Sequence, residues 1–345
     1  MIKVLITGCS MHSNDLINVL RNNADEEEIS IVGINCEDTA LLRKGVDSGY
    51  IVPRIDDPDY VPTLMEICIK EKVDVILPFI TAELPLAVKY KPVLEAVGTK
   101  VSVTSGESLS IVGDKVRMAE RYPQLMPRQR VLGGDGERIE QLRMFEKQIG
   151  FPEKRICMKL HDKCGGVGFA VIDEKRGLDL TRINKFGQNR YITNLMAEQL
   201  LQNTDETVIL QEYEEGIDYS LCILAENGKV LHSLGFAADI MSFGSAMAAR
   251  IKKNQQAEEI AELVTSETEL DGNACFDFMM KKDGTVKLLE VNPRLSASLP
   301  FIAKAGLNLP YMRVKQLLGG DVRKNPEKIN LNLRMSKNYE SEYFT

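Results

Sequence analysis

The stretch Glu290-Val291-Asn292-Pro293-Arg294 sets a carboxylate, an amide and a guanidinium directly after the apolar pair Leu288-Leu289. Residues 273–292, NACFDFMMKKDGTVKLLEVN, read as two apolar strands joined at Asp283-Gly284, a two-residue hairpin signal. If that turn closes without a bulge, Lys282 faces Thr285 and, further out, Asp277 faces Glu290. Opposed carboxylates on an antiparallel pair stand roughly 5 Å apart at Cβ and repel one another. Asn292 shares the face of Glu290, because strand side chains alternate with period two. Two carboxylates and an amide oxygen are hard ligands, and a divalent cation carrying phosphate turns their repulsion into coordination. Taken alone, the acidic pair reads better as a solvated strand face or as carboxylates neutralised by nearby Lys or Arg. The apolar neighbours Phe276, Phe278, Leu288, Leu289 and Val291 tip the balance towards burial, where such charges need partners.

Phosphate chemistry recurs upstream. Lys159 lies near the end of the strand-like run RICMKL, before Gly165-Gly166-Val167-Gly168 and a second strand. Glycines there let backbone N–H groups come close to phosphate oxygens. The segment is not a Walker loop, since no G-K-[ST] follows, and a plain surface turn is the competing reading. In VILQEYEEGIDYSLCIL the chain turns at Glu214-Glu215-Gly216. Asp218 then lies in the returning strand, where a carboxylate can accept hydrogen bonds from ribose hydroxyls.

These residues need elements to hold them. Residues 1–105 alternate apolar strands with helical spacing: IKVLITG, then a helix after a Ser13 cap, ISIVGIN, a helix over 61–72, VDVILP, a helix over 83–98, and KVSVT. Such alternation predicts a parallel α/β sheet with a Rossmann-like shape. Its first turn, Gly8-Cys9-Ser10-Met11-His12-Ser13, has one glycine where a dinucleotide fingerprint needs three, which argues against NAD. Residues 106–155 read as helical, with helices over 113–124 and 136–152 separated by the Pro/Gly-rich link MPRQRVLGGDG. From 155 onward strands and hairpins dominate, interrupted by helices over 189–202 and 254–267. A last helix over 310–319 precedes a polar, partly disordered tail.

The chain has 345 residues, 44% hydrophobic and 27% charged, with a formal net charge of −7. No basic stripe interleaves with aromatics, which argues against a nucleic-acid partner. No apolar run approaches a membrane span, and the N-terminus lacks the pattern of a signal peptide. Seven scattered cysteines without C-x-x-C spacing fit reduced thiols in a cytoplasmic compartment. Three distant histidines argue against a His-based zinc site.

Four segments in order, GDK at 113–115, MKL…GGVG at 158–168, LQEYEEGIDYS at 210–220 and EVNPR at 290–294, resemble the ATP-grasp superfamily, most closely the carbamoyl-phosphate synthetase large-chain type. The resemblance runs over nearly the whole chain. It implies a Rossmann-like front domain over 1–105, a linker and helical part over 106–155, and a small lobe with a glycine lid over 156–220. A large lobe with the metal site over 221–330 and a tail over 331–345 complete the expected order, with antiparallel sheets in both lobes. By resemblance Lys115 and Lys159 hold the nucleotide phosphates, and Gly165, Gly166 and Gly168 form the lid. Glu212 and Tyr213 form the hinge that reads adenine, the latter through its backbone, and Asp218 takes the ribose. Asp277, Glu290 and Asn292 are the implied ligands of magnesium or manganese. Arg294, with Lys159, is the implied catalytic group that stabilises the transferring phosphoryl. Arg250 and Ser245 are set towards the substrate.

The family more often has Glu or Gln where Asp277 stands and Glu where Asp218 stands, and the interval before Lys159 is longer here. The implied activity is ATP-dependent activation of a carboxylate as an acyl phosphate, attacked by an amine or ammonia, with a homodimer as the expected assembly. Phosphorylation of bicarbonate or carbamate, or a non-catalytic ATP sensor, are the alternatives.

Overall fold

Five short apolar runs pair side by side at the front of the chain. A computed structural model describes residues 1–10, 13–39, 42, 45–133, 137–163, 166–179, 190–242, 245–324 and 328–338. Strands β1 (Ile2–Ile6), β2 (Ile29–Asn35), β3 (Ser48–Ile51), β4 (Val75–Leu77) and β5 (Lys100–Val101) form one parallel sheet in the order β3-β2-β1-β4-β5. Successive side chains enter different cores. Leu5, Val32 and Ile76 pack with α2 (Tyr60–Glu71) and α3 (Leu84–Ala96), whereas Val4, Ile6, Ile31 and Leu77 pack with α1 (Asn14–Arg21). Burial on both faces is why these strands read as unbroken apolar runs. Ser13 does stand at the start of α1, but its side chain does not cap the helix. It accepts instead from the Ser10 backbone N–H at 3.3 Å, because its helical backbone angles turn the hydroxyl back towards the preceding turn.

Two short helices follow, α4 (Gly106–Val112) and α5 (Lys115–Arg121). The Asp114 carboxylate caps α5, accepting from the N–H groups of Val116 and Arg117 at 2.8 and 3.1 Å, and so fixes Lys115 as the first helical residue.

The second sheet contains β6 (Gln129–Leu132), β7 (Ile156–Leu160), β8 (Ala170–Ile172), β9 (Tyr191–Ile192) and β10 (Val208–Glu212), in the order β6-β10-β7-β8-β9. Helices α6 (Arg138–Ile149), α7 (Glu174–Gly177) and α8 (Asn194–Gln202) accompany it. Leu142, Phe145 and Ile149 of α6 and Ala197 and Leu201 of α8 share its core with Ile156, Met158, Val208 and Leu210. Three readings need correction. Residues 129–132 of the supposed link form an edge strand, because Arg130 and Val131 complete the ladder of β10. The helix expected over 189–202 begins only after Thr193, which caps it; Tyr191–Ile192 pair with β8. That β8–β9 pair is parallel, so this sheet is not wholly antiparallel.

The third sheet is antiparallel throughout. It runs β15-β14-β11-β12-β13-β16 through β11 (Ile217–Glu226), β12 (Lys229–Ser242), β13 (Ser245–Ile251), β14 (Gly272–Met280), β15 (Val286–Asn292) and β16 (Arg334–Ser336). Its helices are α9 (Gln255–Thr268), α10 (Leu299–Lys304) and α11 (Leu309–Leu317). Arg334–Ser336, placed in the polar tail by sequence, pair with Ala248–Arg250.

The front sheet does not stand apart from this one. Val4, Leu16 and Ile31 lie in the same core as Cys222, Phe236, Phe301 and Val314. Buried Arg313 adds a polar link across the junction, donating to Ser102 at 3.1 Å and Asp271 at 2.7 Å. No helix of the described residues is long and apolar enough to cross a membrane.

Candidate active site

The β14–β15 hairpin does not close as the simplest reading supposes. Its turn holds three residues, Lys282-Asp283-Gly284, with Lys281 facing Thr285 (N–H to O, 2.8 Å) and Gly284 at φ +89°. That is a glycine-terminated bulge turn, and it shifts the register by one. A second irregularity between Asp277 and Phe278, where Leu289 is the extra residue on β15, shifts it back. Asp277 therefore faces Glu290 after all, and Cys275 faces Asn292.

Alternation sorts the large sheet into two faces. Tyr219, Leu221, Phe276, Phe278, Leu288 and Val291 point into a core shared with Ala257, Ile260 and Val264 of α9. Asp218, Ser220, Asp277, Glu290 and Asn292 fall on the other face, since Ser220 stands opposite Asp277 and Asp218 opposite Met279. Asp277 accepts from the Ser220 hydroxyl at 2.6 Å and from Asn292 Nδ2 at 2.9 Å, and the same Nδ2 reaches Glu290 at 3.3 Å. Burial, and then the Glu290 charge, push the Asp277 carboxyl up to about 7. Glu290 moves the other way. Burial raises it, but the charges of Lys115 and Lys159 outweigh that and hold it below the usual carboxylate range.

This donor set fits a magnesium ion. Two carboxylates face one another, bridged by the Asn292 amide, and rotating that amide would present its oxygen in place of its NH2. Among the described residues no group of three His, Cys, Asp or Glu side chains is gathered for a metal. The pair would thus leave most of the coordination shell to water and phosphate.

The structure brings Lys115 to Glu290, with Nζ 3.3 Å from Oε2, and that ammonium also donates to the Lys163 carbonyl at 2.8 Å. Lys159 reaches the same carboxylate electrostatically from β7, so the two lysines converge on it from different elements. His161, two residues beyond Lys159, lies 3.2 Å from the Asp114 carboxylate that caps α5, joining the two lysine-bearing segments.

Gly166 and Gly168 both have positive φ, +81° and +71°. A Cβ on Gly168 would sit 2.4 Å from Leu160, so this turn admits no side chain there. Gly165 lies outside the described residues.

At the hinge the Glu212 carboxylate is already committed, accepting from Arg128 at 2.8 Å and Lys154 at 2.7 Å, which hold it below the ordinary range against the effect of burial. Its backbone N–H bonds the Arg128 carbonyl, and that of Tyr213 bonds the Arg155 carbonyl, both at 2.8 Å. The side chain of Glu212 thus braces this segment, and the fold itself takes the backbone N–H groups of Glu212 and Tyr213. A cleft of about 550 Å³, lined by Arg128, Lys154, Glu212, Tyr213 and Lys281 among others, opens at this point. Asp218 is half-buried on the site face; burial raises its carboxyl and the Arg190 charge opposes the rise.

Arg294 leaves the end of β15 and donates from Nε to the Thr81 hydroxyl and from Nη1 to the Leu295 carbonyl, both at 2.7 Å. Its charge favours ionised Asp277. Arg250 instead pairs with Asp239 on the neighbouring strand, and Ser245 stands at the β12–β13 hairpin opposite Ser242.

Two contributors escaped the sequence. Ser220 could have been found from the period-two step after Asp218. Thr81 could not, being 213 positions from Arg294.

The chain resembles known proteins in sequence and fold. Residues 204–340 match the family described as ATP-grasp in the biosynthetic pathway with Ter operon, and residues 4–102 match the PylC-like N-terminal domain. The carbamoyl phosphate synthase large chain of Archaeoglobus fulgidus is 25% identical over 257 residues, 70% of this chain and 22% of that protein. That of Methanothrix thermoacetophila is also 25% identical, over 72% of this chain and 22% of its own length. The chain therefore spans about a fifth of these relatives.

Among solved structures, the biotin carboxylase domain dimer of Hydrogenobacter thermophilus 2-oxoglutarate carboxylase, in complex with MgADP, ADP and bicarbonate, superposes with a TM-score of 0.66 at 17% identity. The match covers 97% of this chain and 73% of that one. The ADP complex of an N5-carboxyaminoimidazole ribonucleotide synthetase gives 0.66 at 14% identity over 96% and 80% of the two chains. An L-amino acid ligase from Bacillus licheniformis gives 0.60 at 13% over 92% and 74%. The chain thus has the fold of these proteins, with an ATP-grasp match over residues 204–340 and a PylC-like match over residues 4–102.

Proposed function

We propose that this chain is an ATP- and magnesium-dependent ligase that activates a carboxylate as an acyl phosphate and passes it to an amine or ammonia. The observation that carries the reading is the convergence of Lys115 and Lys159 on a face holding Asp277, Glu290 and Asn292. Opposed carboxylates approached by ammonium groups mark a candidate site for polyphosphate and its cation.

In this reading Lys115 and Lys159 hold the phosphates, Gly166 and Gly168 belong to a lid that keeps water out, and Asp218 takes the ribose. The division into a front domain over 1–105, two lobes over 156–220 and 221–330, and the helical link between them is part of the same proposal. Magnesium, held by Asp277, Glu290 and Asn292, would neutralise charge on the β- and γ-phosphates. The carboxylate oxygen attacks the γ-phosphorus, the bond to the ADP oxygen breaks, and Arg294 meets the negative charge spread over the transferring group. The amine nitrogen then attacks the acyl carbon and inorganic phosphate leaves. Bicarbonate belongs among the carboxylates to test, since it is bound in the Hydrogenobacter carboxylase domain.

The test is ADP release by the purified protein with ATP and magnesium against pooled carboxylates, bicarbonate and amines. Turnover confined to particular pools, and lost in Glu290→Ala, supports a ligase. Magnesium-dependent ATP binding without turnover in any pool would instead make the chain a nucleotide sensor.

A further inference from the structure

The front domain contains a side-chain cluster that the proposed chemistry does not use. Glu83 has no solvent exposure and closes a single turn of tight helix, Thr81–Glu83, at the end of β4. Its carboxylate accepts from three hydroxyls: Tyr60 at 2.7 Å, Tyr90 at 2.8 Å, and Thr7. The Thr7 hydroxyl in turn accepts from the Phe79 backbone N–H at 3.1 Å, so the ends of β1 and β4 are latched together. Gly8 completes the latch. With φ +57°, it lies where a Cβ would stand 2.5 Å from Ile80, and the β1 turn therefore presses directly on the residue before Thr81. Buried charge with this many donors rigidifies whatever it holds. What it holds is a turn that offers one hydroxyl, Thr81 Oγ1, to Arg294 Nε across 213 positions of sequence.

We propose that Thr81 is a positioning residue, fixed by the Glu83 cluster, whose hydroxyl sets the plane of the Arg294 guanidinium towards the transferring phosphoryl group. The inference rests on Arg294 having the role given to it above. Two bonds, to Thr81 and to the Leu295 carbonyl, occupy Nε and Nη1 and leave Nη2 without a partner among the described residues. Bonds at Nε and Nη1 hold the guanidinium plane from two sides, so losing the Thr81 bond frees the plane while leaving the charge in place. The front domain, on this view, does more than cover the cleft: it sets the angle of a catalytic arginine.

The test uses the full chain labelled with 15N-arginine. The Nε–Hε resonance of Arg294, identified by its loss in Arg294→Lys, reports the bond whether or not the enzyme turns over. Slow exchange with water is expected in the wild type and in Thr81→Ser, and at least tenfold faster exchange in the isosteric Thr81→Val. An unchanged exchange rate in Thr81→Val would overturn the proposal. With a substrate pool that supports turnover, Thr81→Val should lower kcat by about 10–100-fold, keep the MgATP Kd within about twofold of the wild type's, as expected where the phosphate-holding lysines are untouched, and be rescued by Thr81→Ser. An unchanged kcat would equally sink it. Absence of wild-type turnover in every pool would refute the ligase reading, and the exchange rates would still decide whether Thr81 fixes Arg294.

Discussion

Glu83 and the Asp277–Glu290 pair are both acids removed from bulk water, and the protein treats them in opposite ways. Glu83 is wholly enclosed, has three hydroxyl donors and faces no second carboxylate. Asp277 and Glu290 face each other on a half-open sheet surface, sharing one amide donor and leaning on lysines brought from other elements. The first arrangement is complete within the chain. The second shares one amide donor between two facing acids, an arrangement that a cation would complete under the proposed function.

Removing each acid should break the comparison in a different observable. Glu290→Ala should lower ADP release by about 10²–10³-fold, the size of effect seen when a charge-stabilising group is lost from a transition state. Its unfolding free energy in urea should change by less than about 1 kcal/mol, because losing the part-exposed Lys115 ion pair is offset by relief of the repulsion on Asp277. Glu83→Ala should do the reverse in stability, costing about 3 kcal/mol in urea unfolding because three buried hydroxyls lose their acceptor. A Glu83→Ala protein as stable as the wild type would show that the cluster holds nothing.

The pH dependence sharpens the same contrast. Burial raises the Glu83 carboxyl above its unfolded value despite the three hydroxyl bonds. A raised folded value means the folded state binds the proton more tightly. The group's contribution to stability is then full below the unfolded value, roughly 4.3, and is lost as pH rises through the folded one. Wild type should accordingly lose stability relative to Glu83→Gln as pH rises above the unfolded value, measured by urea unfolding at each pH. A gap that widens in the wild type's favour would reverse the sign and show that the hydroxyls dominate burial.

The smallest effect belongs to Ser220, which touches Asp277 from the neighbouring strand. Ser220→Ala should raise the magnesium concentration needed for half-maximal ATP binding by about tenfold, typical of a group that orients a ligand. No change would place Ser220 outside the site.

The sequence showed the site's chemistry better than its supports. Asp277, Glu290 and Asn292 were legible because strand period and a turn signal fix which residues share a face, although the register came right through two shifts that cancel at Gly284 and Leu289. Lys115 was named by the resemblance of Gly113-Asp114-Lys115, and the structure shows Asp114 capping its helix. The edge strands β6 and β16 were missed because Arg130 and Arg334, half-buried or exposed on an edge, carry no apolar alternation. Glu212 read as an adenine contact from its motif, but its two cations, Arg128 and Lys154, lie 84 and 58 positions away and only the fold brings them to it. Thr81 and Glu83 gave no signal of their own, since their roles arise from contacts made by the parallel sheet after it has folded against the large lobe.

The most direct measurement is ATP affinity by calorimetry with and without magnesium, in the wild type and in Glu290→Gln. Magnesium should strengthen binding in the wild type by about tenfold or more, the scale on which such sites change affinity, and should do little in the variant. Equal responses in the two proteins would mean that the facing carboxylates hold no cation, and the assignment of this face to phosphoryl transfer would fall.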